Sequence, residues 1–252
     1  MPGAARTTTP TDLRAAALAW RHGQAALQCE LVEPWEHGVV YRTPSAPNYW
    51  DANAVRLDGS PTFAALVRRV DELLGPLRHR KLVVTDEAVG ARLRPAFEAA
   101  GWICDRNAVL RRAGPAAAHP DVAEVAPTET HPLRIEWYLN YPDEGDPTAL
   151  AEAQDRVGAR RGMRAFVVRD GGSPVGFALL AVGPGAVEID QLYVTPAARG
   201  QGIGARLVES ALAAGGQPVA WVVADDEGRA RALYERLGFE TVWRVHEFVR
   251  QP

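Results

Sequence analysis

The sequence predicts a mixed α/β (α+β) fold of two similar domains, each a mixed, largely antiparallel sheet flanked by helices. Three observations carry this expectation. Short apolar runs bounded by glycine turns alternate with stretches of helical periodicity. The segment "RRAGPAAAHPD", residues 111–121, has neither period and reads as a linker. Finally, "GARLRPAFEAAGWICDRNAVLRR" (90–112) lies over "GRARALYERLGFETVWRVHEFVR" (228–250) when Phe97 is set on Tyr234, which also sets Gly101 and Trp102 on Gly238 and Phe239. The domains expected are 1–112 and 121–252, joined by a linker at 113–120.

Taken in order, the first half predicts strands at "ALQCELVEPW", "GVVYRT" and "NAVRL". A helix over 61–74 follows, with Phe63, Leu66, Val67, Val70, Leu73 and Leu74 on one side, and then the strand "KLVVT". The loop "TPSAPNYWDAN", carrying Tyr49 and Trp50, is either a cleft wall or an anchored loop. In the second half "DVAEVA" reads as a strand, and "PLRIEWYLNY" and "TALAEAQDRVGARR" read as helices separated by the acidic loop "PDEGDP". "RAFVVRD" and "SPVGFALLAVG" are joined by a glycine pair, a hairpin signal, and "AVEIDQLYV" follows a "GPG" turn. Ile203, Leu207, Val208, Ala211 and Leu212 then recur at helical spacing. "PVAWVVAD" is a buried strand, "EGRARALYERL" a helix stopped at Gly238, and "FETVWRVHEFVR" the closing strand. The order is β-α-α-β-β-β-α-β-α-β.

Composition narrows the function. With 252 residues, 47% hydrophobic and 23% charged, the chain can bury one large core or two ordinary ones. No apolar stretch approaches the length of a membrane span, and "MPGAARTTTP" lacks the apolar core of a secretion signal, so a cytoplasmic protein without a membrane partner is expected. Cys29 and Cys104 make no metal-ligand spacing and the six histidines are scattered; reduced thiols and no metal are expected. Residues 1–120 carry 15 basic and 12 acidic side chains, while 121–252 carry 13 and 19. The acidic second half suits a cationic substrate and argues against nucleic acid. The basic run "ARRGMR" (159–164) reads as charge compensation at a helix C-terminus.

The stretch "QLYVTPAARGQGIGAR", residues 191–206, carries the chemistry. "GQGIGA" fits the dinucleotide pattern G-x-G-x-x-A, with Asp225 about twenty residues on. The context is wrong for it: "TPAAR" separates the strand from the first glycine, and an antiparallel hairpin lies upstream. Glycines at 200, 202 and 204 instead clear side chains from a turn of backbone N–H groups, and a helix starting near Gly202 adds its positive end. Such a turn binds a diphosphate.

The motif R/Q-x-x-G-x-G/A, through Arg199, Gly202 and Gly204, follows a "LYV-x-P" strand end and precedes "ARALYERLGF" by some thirty residues. This combination resembles the GNAT superfamily of acyl-CoA-dependent N-acyltransferases, over essentially all of residues 121–252, which makes the chain a tandem form with a degenerate first copy. The resemblance implies acetyl-CoA as cosubstrate. Its pyrophosphate would lie against Arg199, Gly200, Gln201, Gly202, Ile203, Gly204 and Ala205. Its pantetheine arm would pair with the backbone of Leu192 and Val194, where "EIDQLYV" must present an open edge. Tyr234 matches the tyrosine that protonates the leaving thiolate. Where many members place an asparagine on the pantetheine, this sequence has Glu227.

A lysine-like amine of pKa about 10.4 must lose a proton before it attacks, at a cost of about 4.6 kcal/mol at pH 7, so a base is useful. Glu188 and Asp190 are the candidates; by the strand period of two they share a face with each other and with Leu192 and Val194. Trp137, Tyr138 and Tyr141, beside Asp143, Glu144 and Asp146, suit a flat or cationic amine. In the first copy "SPTFAAL" replaces the glycine motif and Phe97 replaces the tyrosine, so it is expected to be silent and to wall the acceptor cleft. The function expected is N-acetyl transfer to a small-molecule or peptide amine by direct attack. The alternative is an acyl-CoA-binding sensor. Monomer and homodimer both fit a tandem repeat.

Overall fold

The computed structural model describes residues 9–140 and 145–251. The chain opens with helix α1 (Pro10–Gln28), followed by β1 (Leu31–Trp35), β2 (Gly38–Arg42), β3 (Ala54–Leu57), α2 (Phe63–Leu73), β4 (Arg80–Val84), α3 (Glu87–Ala99) and β5 (Ile103–Ala113). After the linker come β6 (Val122–Val125), α4 (His131–Tyr138), α5 (Pro147–Ala159), β7 (Arg164–Asp170), β8 (Ser173–Gly183), β9 (Ala186–Val194), α6 (Ile203–Gly215), β10 (Val219–Asp225), α7 (Arg229–Arg236) and β11 (Glu240–Arg250). The second half reproduces the expected order.

Helix α1 corrects the first half. "ALQCELVEPW" was expected to be a strand, but its first three residues end α1 and only Leu31–Trp35 is extended. The signal for the helix is local: Thr9 and Asp12 form a capping box, each side chain accepting the other's backbone N–H at 3.2 and 3.0 Å.

The strands form one sheet in the order β1-β2-β3-β4-β11-β5-β10-β9-β8-β7-β6. Each half's closing strand crosses into the other: β11 pairs antiparallel with β4, β5 pairs antiparallel with β10, and β5 and β11 lie side by side at the centre. The cores are exchanged accordingly. Phe248 of β11 is fully buried in the first half's core, stacked on Phe97 at 4.2 Å. Ala108 and Leu110 of β5 are fully buried in the core that packs α6 against the second half's strands. Neither core closes without a strand from the other half.

Two local features of the sheet position the site. In β9 the register against β8 shifts, with Leu179 opposite Gln191 and Leu180 opposite Ile189, which leaves Asp190 as a bulge. The bulge reverses the side-chain parity. Leu192 and Val194 therefore pack with Val187 and Ile189 on the α6 side, and the expectation that they share a face with Glu188 fails for that reason. Second, β9 and β10 are parallel neighbours only from Ala186↔Val219 to Ile189↔Val222 and then part, so the edge of β9 beyond Ile189 is open on that side. The equivalent pair in the first half stays closed: β3 and β4 pair through Leu57↔Val84, and Thr85 adds its backbone N–H and its hydroxyl to the Leu57 carbonyl.

Candidate active site

The loop after β9 is a glycine turn whose backbone N–H groups are open. Gly200 and Gly202 hold φ of 80° and 73°, a left-handed conformation that strains any other residue. Gly204 is required for a different reason: a Cβ there would stand 3.3 Å from Leu233 and 3.7 Å from Leu192, where α6 packs on α7 and β9. No backbone N–H from Gly200 to Ala205 has an acceptor among the described residues, and Gly202 caps α6 without a side-chain bond. These donors, with the positive end of a 13-residue helix, form a ready site for phosphate oxygens. Arg206 braces the turn by donating to the Gln201 carbonyl at 2.8 Å while paired with Asp121. Arg199 does not reach outward; its Nε donates to the Val194 carbonyl at 3.0 Å and its guanidinium lies over Tyr193.

On the opposite face of the sheet from α6 lies a cavity of about 260 Å³ between the halves. Glu188, Asp190 and Gln191 of β9 line it, at the point where β9 leaves β10. Glu188 is buried and both its oxygens are occupied: Trp20 Nε1 donates to Oε2 at 2.9 Å and Arg21 to Oε1 at 3.1 Å. Asp190 is paired with Arg161 at 2.6 Å; burial raises its carboxyl above the ordinary range, although Arg161 opposes the shift. Arg161 is itself buried and also donates to Gln24 and Gln28 of α1. Burial disfavours its charge, but Asp190 and Glu188 outweigh that and hold its pKa above the ordinary value.

Arg161 was expected to be a helix-end charge, and that reading is corrected. Helix α5 ends at Ala159, and the turn after it carries Arg161 into the cavity wall. Sequence reasoning also missed Trp20, Arg21, Gln24 and Gln28, because the helix that bears them was not anticipated. Their i, i+4 spacing on that helix is the signal that would have grouped them.

The remaining expected residues fall into distinct places. Tyr234 on α7 is buried against Phe239 in the α6-side core; burial pushes its phenol well above the ordinary range, keeping it a proton donor. Trp137 lines the cavity. Tyr138 does not; it is a core residue between α4 and α5, packed with Leu150 and Ala151, because the turn of α4 points it at α5. Tyr141, with Asp143 and Glu144, lies outside the described residues. Glu227 sits in the exposed turn before α7, and its neighbour Asp226 is buried among Arg106, Arg231 and Arg244. The loop 43–53 is both wall and anchor: Tyr49 lines the cavity, while Asn53 bonds the Ala46 and Tyr49 carbonyls and Trp50 stacks on His79. Among the described residues no group of three or more His, Cys, Asp or Glu could hold a metal ion, and no helix is long and apolar enough to cross a membrane.

Comparison with known proteins agrees with this geometry. The model of the acetyltransferase (GNAT) family matches residues 130–239. No curated protein matches the sequence. Among solved structures, a GCN5-related N-acetyltransferase from Kribbella flavida superposes with a TM-score of 0.60 at 17% identity, covering 94% of each chain. A functionally unknown conserved protein from Staphylococcus epidermidis gives 0.64 at 16% identity, covering 87% of this chain and 92% of that one. A tandem GNAT protein from the clavulanic acid biosynthesis pathway gives 0.52 at 16% identity, covering 85% and 79%. Residues 130–239, which hold the glycine turn, the bulged strand and the open fork, are thus similar to the GNAT acetyltransferase family over somewhat less than half of the chain.

Proposed function

We propose that the protein transfers an acetyl group from acetyl-CoA to a primary amine by direct attack, without an acyl-enzyme. The observation that carries this reading is the fork between β9 and β10 beside a loop of unmatched backbone N–H groups. The residues present fit acetyl-CoA. The N–H groups of Gly200 to Ala205 would hold the pyrophosphate, and the backbone of Leu192 and Val194 would pair with the pantetheine arm. Acetyl-CoA supplies the activated acyl carbon. Tyr234, kept protonated by burial, gives a proton to the departing thiolate, and Asp190 or Glu188 assists the amine in losing one. Because both carboxylates already carry cations, a base role requires the incoming amine to displace Arg21 or Arg161 from one of them. The cavity's size favours a small-molecule acceptor over a peptide.

Residues 1–112 and 121–252 are read as two copies of one unit, the first silent, since β3 and β4 stay closed where β9 and β10 part. One acetyl-CoA per chain is therefore expected in calorimetry. Free-thiol release from acetyl-CoA across an amine panel tests the reading, with Tyr234→Phe expected to slow turnover ~10²-fold or more while leaving acetyl-CoA binding intact. Tight CoA binding with no release for any amine would favour a sensor instead.

A further inference from the structure

Two hydrogen-bond valences in the cavity are left open by the protein itself, one from each half of the chain. Four carboxylates line the cavity, and three are mostly buried and occupied: Glu188 by Trp20 and Arg21, Asp190 by Arg161, and Glu247 by Lys81 at 2.9 Å. Asp51 differs. Its side chain is 61% exposed within the cavity walls; Lys81 donates to its Oδ1, and its Oδ2 has no donor among the described residues. Gln191, just past the bulge, also lines the cavity, and its buried Oε1 has no donor among the described residues.

The carboxylates of the cavity differ in their direct ion pairs. Around Glu188 and Asp190 two carboxylates face two guanidiniums, Arg21 and Arg161. Around Asp51 a single ammonium, that of the only lysine in the sequence, is shared by two carboxylates, Asp51 and Glu247. Counting ion-paired groups alone, that end has one more carboxylate than cations, while Arg21 and Arg161 act on Asp51 from farther off. Lys81 holds the Asp51 carboxyl below its ordinary range, so it is ionised wherever an alkylamine is a cation. Among the remaining wall are Val83, Val245 and Val223, on β4, β11 and β10, and Leu18 of α1, which bear no polar group. Asp51 and Gln191 line the same cavity, whose volume of about 260 Å³ suits one small molecule. The matching ligand has an N–H donor at one end, a cation at the other and hydrocarbon between.

We propose that the acceptor is an α,ω-diamine, and that Asp51, supplied by the first half, is the residue that selects it. This rests on the acyltransferase reading. One amine, in its neutral form, attacks the thioester carbonyl beside Gln191. The N–C bond forms, the C–S bond breaks, and the nitrogen gives up one proton as the thiolate takes one. The second amine stays an ammonium on Asp51 and does not react.

The test compares α,ω-diamines of increasing chain length with monoamines of matched length, by thiol release and by calorimetry on the CoA-loaded protein. Diamines are expected to show about ten-fold higher kcat/KM, with an optimum in chain length, and Asp51→Asn is expected to erase that advantage through KM rather than kcat. Asp51→Glu, which keeps the charge, should recover part of it. Equal turnover of matched monoamines, or a diamine KM indifferent to Asp51→Asn, overturns the proposal. Should no amine be acetylated, the acyltransferase reading falls, and calorimetry alone decides the site: diamine binding lost in Asp51→Asn sustains it, and diamines binding no better than monoamines ends it.

Discussion

At the residue scale the glycine loop and the buried ion pair are both constrained, for different physical reasons. Gly202 caps α6 at φ 73°, where a Cβ meets the backbone, so Gly202→Ala strains the turn by about 1–2 kcal/mol. The expected outcome is weaker acetyl-CoA binding by calorimetry with the overall fold retained; unchanged affinity would remove the loop from the cofactor site. Asp190 and Arg161 form a pair in which Arg161 is buried, and its guanidinium is otherwise met by neutral glutamines and the more distant Glu188. Asp190→Asn leaves that cation undercompensated and is expected to cost about 3–5 kcal/mol in a denaturant titration. A loss of activity in this variant must therefore be read beside its stability.

At the element scale α1 is the decisive feature. Its Trp20, Arg21, Gln24 and Gln28 all reach Glu188 or Arg161, so one helix orients both candidate carboxylates. Trp20 also packs against Gly183 of β8, where a Cβ would stand 2.8 Å from its ring. Trp20→Phe keeps an aromatic ring but loses part of the indole's packing and its N–H, so that Glu188 Oε2 is left with only the more distant Arg161, at 3.8 Å. A destabilisation of about 1–3 kcal/mol is expected by thermal or chemical unfolding, and its absence would mean that water replaces the indole. The bulge at Asp190 is the other element-scale feature, and it turned a simple alternation into a strand whose two ends face opposite sides.

At the scale of the whole molecule, the exchanged strands make the two halves one folding unit. Phe248→Ala empties a fully buried site in the first half's core although the residue lies in the chain's last strand, and about 3–5 kcal/mol should be lost. A single cooperative transition should persist, with both halves unfolding together; two transitions would show that the cores are independent. Much of this was legible beforehand. The order of elements in residues 121–252 and the glycine turn at Arg199–Ala205 rest on local patterns, period and turn chemistry. The capping box that starts α1 was equally local and was overlooked. The rest depends on which segments meet in space. That β5 and β11 change places, that Asp51 and Lys81 face Glu188 across one cavity, and that Arg161 turns inward follow from packing contacts between residues far apart in the chain. The sequence by itself determined the elements and the glycine turn, because both are set within a few turns of backbone. Only the tertiary structure decided what surrounds the candidate carboxylates, because burial and charge compensation are properties of neighbours that no spacing encodes.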